Sequence, residues 1–234
     1  GEISIKYGIK GISKTFSAER LSAAYAIEYG KLLVDHGRLE VALAGGVESP
    51  FSQPVLASMR NLGLLSSDVP AGEAACMIGF GRQTDGCKPR ILGFGKAMAP
   101  SSALAQSLQN AEITPSQLDL VLLDPPRGLD SFRRRHLAVQ LTAIQELKAP
   151  AVQVAQPLPF GETVGAAFAV QLAAAVIALE QQQIPVSDFD AGSRDELQTY
   201  GFAVNCNQKI DLTNVAVLGS DGYGQWMSCM VANA

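Results

Sequence analysis

Charge is scarce in this sequence. Asp, Glu, Lys and Arg make up 17% of its 234 residues, against roughly 25% in ordinary soluble domains, so much of the folded surface is expected to be buried or covered by another chain. Neither sign dominates, because 18 basic and 22 acidic side chains leave a net charge of -4. Without a long basic run there is no face to neutralise phosphates, which argues against a nucleic-acid partner. Cysteine and histidine are equally sparse. Cys76, Cys87, Cys206 and Cys229 stand far apart with no CxxC pair, and only His36 and His136 could join them. That spacing gives neither a metal site nor a disulfide framework, and it suits a reducing cytoplasm. No charged-then-apolar leader opens the chain. The longest apolar run, 164–179, contains Gln171 and falls short of the roughly 20 residues that span a bilayer. The expectation is a cytoplasmic protein with no membrane span, no metal and no cofactor.

What is present is apolar patterning of two periods. A hydrophobic share of 47% excludes disorder. Residues 19–34 place Ala23, Ala24, Ile27 and Lys31 or Leu32 at helical spacing, with Gly37 as a stop signal. The run Val41-Ala-Leu-Ala-Gly-Gly46 reads as a strand buried on both faces. Residues 90–95, 120–123, 151–155 and 215–218 repeat that signature, and helical stretches at 101–111, 131–147 and 163–182 separate them. Strands spaced by helices imply crossovers and a mainly parallel sheet covered on both sides, hence an α/β class. The stretch 163–182 is apolar almost all round and rich in alanine, which places it in the middle of a layered structure. Residues 50–72 and 188–207 are polar and contain Gly and Pro, so they read as excursions over the core. His36 lies near a helix end, and His136 follows Arg133-Arg-Arg135 on what reads as a solvated helix face. Cys76 and Cys87 read as packing or surface thiols. No linker divides the chain.

Four motifs stand in a telling order. Gly8-Ile-Lys-Gly11, Thr15-Phe-Ser17 and Val41-Ala-Leu-Ala-Gly-Gly-Val-Glu48 flank a small-residue helix; Gly72-Glu-Ala-Ala75, Gly161-Glu-Thr-Val-Gly-Ala-Ala167 and Gly219-Ser-Asp-Gly-Tyr-Gly224 follow. The set resembles the nucleophile region, Gly-Glu-Gly-Ala turn, Gly-His-Thr helix start and C-terminal glycine turn of the β-ketoacyl synthases. That resemblance implies the thiolase-like layered fold of two similar halves. A single domain over 1–234 would then comprise the remainder of the first half, 1–88, and the second half, 89–234. The first half's opening strands and helices have no counterpart, so the resemblance implies an N-terminally shortened member.

The resemblance also implies where chemistry should be and is not. In such synthases a Cys at the start of the buried helix attacks an acyl thioester, and two His residues stabilise the condensing enolate. Matching the motifs puts Arg20 at the Cys position, Asp124 and Glu162 at the His positions, and Pro157 at the family's Lys. An Arg is no nucleophile, and carboxylates repel an enolate. Asp221, Trp226 and Met227 interrupt the glycine turn. The resemblance therefore implies a non-catalytic subunit of chain-length-factor type. It would pair with an active β-ketoacyl synthase in polyketide, polyene or fatty-acid-type elongation. An acyl carrier protein is a further candidate partner; the triple Arg reads first as a solvated face and only second as a dock for it. The alternative is an enzyme acting as a decarboxylase or acyltransferase on acyl thioesters, with Glu162 or Asp124 as base. Because the family pocket gathers the three positions, Arg20 is expected to pair with Asp124 or Glu162, or to bridge both, in a buried plug; otherwise it reaches solvent.

Overall fold

Small side chains set the centre of the molecule. The computed structural model describes residues 2–65, 70–82, 89–124, 130–149, 152–156, 162–185, 187, 191–202 and 208–233. Its helices are α1 (Glu2–Tyr7), α2 (Ser22–Asp35), α3 (Gln53–Asn61), α4 (Pro100–Asn110), α5 (Asp130–Glu146), α6 (Ala167–Gln181) and α7 (Ala191–Thr199). Its strands are β1 (Val41–Glu48), β2 (Ala74–Gly81), β3 (Arg90–Ala97), β4 (Leu120–Leu122), β5 (Gln153–Ala155), β6 (Asn214–Ser220) and β7 (Trp226–Ala232). Helix α2 buries Ala23, Ala24, Ile27, Gly30 and Val34, and α6 buries eight of its residues on several faces. The two helices touch each other and form a middle layer, with β1 and β2 on one side and the larger sheet on the other. Alanine and glycine at these positions let the backbones approach closely.

The larger sheet has the order β3-β7-β6-β4-β5. Strands β5, β4 and β6 run parallel, joined through α5 and α6, whereas β7 is antiparallel to both β6 and β3. The antiparallel step follows from the short turn 221–225, which can only fold β7 back as a hairpin. Helices α4, α5 and α7 cover the outer face through a second core containing Leu104, Leu141 and Leu197. With both faces covered, every residue of β6 and β7 is buried. This is the layered α/β class expected, with a mixed sheet.

Three local expectations need correction. Strand β1 is not buried on both faces: among the described residues it pairs only with β2, its Ala42 and Ala44 face the middle layer, and Val41, Leu43 and Val47 are exposed. A continuous apolar run cannot distinguish one covered face from two. The polar stretch 50–72 contains α3, which starts after Ser52 with Pro54 in its first turn and buries only Met59. Likewise, 188–207 contains α7, which meets α5 and buries Leu197. Helices with so little buried surface leave a weak periodic signal.

Close backbone packing fixes the ribbon on the middle layer. A Cβ on Gly46 would lie 2.4 Å from the Gly165 carbonyl oxygen and 2.7 Å from the Ala166 Cα, so β1 rests directly on the 3-10 turn Val164–Ala166. The stretch Val164–Gln181 is by length and composition apolar enough to cross a membrane, at a mean hydropathy of 1.6. Its contacts with α2, β2 and β6 place it inside the fold.

Candidate functional site

The N-terminal ends of the two central helices meet at a buried cluster of charge. Just before α2, Ser22 Oγ accepts the Ala18 N–H at 2.9 Å and donates to the Glu19 carbonyl at 2.6 Å. This tight entry holds Glu19 at φ +52°, a left-handed conformation uncommon for a side chain of its kind, and turns Arg20 inward to 4% exposure. Arg20 Nε donates to Glu162 Oε1 at 2.9 Å and Nη1 donates to Asp124 Oδ1 at 2.5 Å. One guanidinium thus bridges two carboxylates that are themselves nearly inaccessible.

Each carboxylate is held from its own element. Asp124 lies two residues beyond β4, where its N–H donates to Gln140 Oε1 and its carbonyl accepts from Gln140 Nε2, at 2.7 and 3.0 Å. Its second oxygen, Oδ2, accepts from Ser220 Oγ at 2.7 Å and lies 2.9 Å from His136 Nε2. Glu162 is tied to the loop before β2: its N–H donates to the Pro70 carbonyl, and its own carbonyl accepts the Gly72 N–H. Its Oε1 also accepts the Val164 N–H at 2.8 Å, at the start of the turn leading into α6. An anion there is favoured by the helix dipole. Val164 has φ +33°, so unusual backbone conformations lie on both sides of the cluster, beside Arg20 and beside Glu162, as happens where surrounding structure over-determines a site.

Burial by itself would lower the Arg20 pKa, but the neighbouring charges of Asp124 and Glu162 and their hydrogen bonds hold it above the ordinary arginine value. Charge-assisted bonds to both ends of the guanidinium fork offset part of the desolvation cost. The cluster can therefore anchor, and a guanidinium is no nucleophile. Among the described residues the free thiols are Cys76 and Cys229, and burial pushes both upward. Cys76 Sγ donates to the Ala169 carbonyl at 3.3 Å, a packing contact. No group of three or more His, Cys, Asp or Glu among the described residues could hold a metal ion.

The structure brings together Arg20, Asp124 and Glu162. Pro157, Gly161, Cys87 and Cys206 lie outside the described residues. His36 is the exposed residue closing α2, where its N–H donates to the Leu32 carbonyl. His136 requires a correction: it is 9% exposed, meets Asp124, and stacks on Trp226 with centroids 5.0 Å apart. Arg134 and Arg135 beside it are exposed. A usable signal was the spacing of His136 and Gln140 on the same helix face as Leu137, Leu141 and Ile144, masked by the arginines before it. Ser220 was also missed, since nothing in a strand end marks it as an Asp124 donor. In the turn after it, Gly222 and Gly224 have φ +84° and +114°, and Asp221 Oδ1 accepts the N–H groups of Tyr223 and Gln225.

Comparison with known proteins places this geometry. Residues 1–86 match the family model of the β-ketoacyl synthase N-terminal domain. The chain superimposes on the ketosynthase from module 6 of the bacillaene synthase of Bacillus subtilis 168 with a TM-score of 0.83 at 16% identity, using 99% of this chain and 49% of that one. The fold is that of the ketosynthases. A chain of the complex between a ketosynthase, ApeO, and its chain length factor, ApeC, from Xenorhabdus doucetiae matches with a TM-score of 0.80 at 18% identity, over 100% of this chain and 63% of that one. A type II polyketide synthase complex of ketosynthase and acyl carrier protein, AntDE:AntF, gives 0.78 at 15% identity, over 100% and 66%. The chain thus spans between about half and two thirds of the ketosynthase-fold chains it matches. No curated protein sequence matches it at a significant level.

Proposed function

We propose that the chain is a non-catalytic ketosynthase-like subunit of chain-length-factor type, which pairs with an active β-ketoacyl synthase in polyketide, polyene or fatty-acid-type chain elongation. The observation that carries this reading is Arg20 bridging Asp124 and Glu162. On the motif correspondence, these residues stand in the positions of the nucleophilic Cys and the two His of a synthase, and Pro157 in that of the Lys. Residues 1–88 and 89–234 correspond to the two thiolase-like halves. A permanently charged guanidinium accepts no acyl group, and both carboxylates are bonded to it, which disfavours the reading of Glu162 or Asp124 as a base for decarboxylation. The likeness to a ketosynthase in complex with its chain length factor supports the pairing. The low charge content and the open apolar face of β1 agree with a surface that another chain covers. An acyl carrier protein is a further partner, and the cytoplasm is the site of action.

Two measurements on the full chain test this. Intact-mass spectrometry after incubation with an acyl thioester should show no adduct, and a stoichiometric adduct would refute the non-catalytic reading. Light scattering of the chain mixed with an active ketosynthase should give a heterocomplex, with an interface above the roughly 1,600 Å² of standard complexes. A monodisperse monomer that ignores the ketosynthase at micromolar concentration would refute the pairing.

A further inference from the structure

We draw no further inference here: the strongest candidate, the apolar outer face of the β1–β2 ribbon on which Val41, Leu43, Val47 and Met77 are exposed, carries nothing because nothing in the structure shows what covers it.

Discussion

Arg20 bonds across 104 and 142 residues of sequence to Asp124 and Glu162, so its energetic weight lies in joining segments that a chain would otherwise hold apart. Because the folded state raises its pKa, its contribution is complete below the ordinary arginine range. It is lost only as pH rises through the folded value, beyond any working condition. The ordinary thiol value lies nearer the working range. Burial raises Cys76 and Cys229, so as pH rises past the ordinary thiol value the unfolded chain ionises first, and stability falls on the alkaline side. The same shift predicts slow chemistry. At pH 8, peptide-resolved alkylation with iodoacetamide should modify Cys76 and Cys229 in the native chain at least tenfold more slowly than after denaturation. Equal rates would place both thiols in an ordinary aqueous environment.

Helix–strand contacts carry the next level of order, and glycine decides several of them. Gly46→Ala would drive a Cβ into the backbone of the 3-10 turn Val164–Ala166, where no flexible side chain can yield. It should cost about 2–3 kcal/mol in urea unfolding, as overpacking of a tight contact does. The same change at Gly63 meets no atom within 4 Å and is limited to the backbone penalty of its φ of +67°. Most central elements were legible in the sequence, because α2, α6 and β6 are long or strongly apolar, although Leu32 of α2 and Ile177 of α6 are exposed. Strands β2 and β7 were not. In β2 the glycines at 79 and 81 dilute the apolar signal, and in β7 Trp226 and Met227 read as departures from a motif although they begin a fully buried strand. The Arg20 cluster was legible only because collinear motifs supplied the fold that brings its members together. His136 was not, since its neighbours Arg134 and Arg135 are exposed while it turns inward to Asp124.

At the scale of the whole molecule, two sheets share one pair of central helices, and the charge cluster pins the entrances of both helices to β4 and to the loop before β2. The proposed role rests on that pinning being a built feature, in which a permanently occupied pocket replaces a reactive one. Its energetic signature is non-additivity. Removing only the cation strands two buried carboxylates, whereas removing all three charges leaves neutral groups that can still hydrogen-bond. Urea unfolding of Arg20→Leu beside the triple variant Arg20→Leu/Asp124→Asn/Glu162→Gln measures this directly. The single change should cost about 3–5 kcal/mol, and the triple variant should recover at least about half of that loss. A single-variant cost below about 1 kcal/mol, or a triple variant that loses more than the single one, would contradict the account.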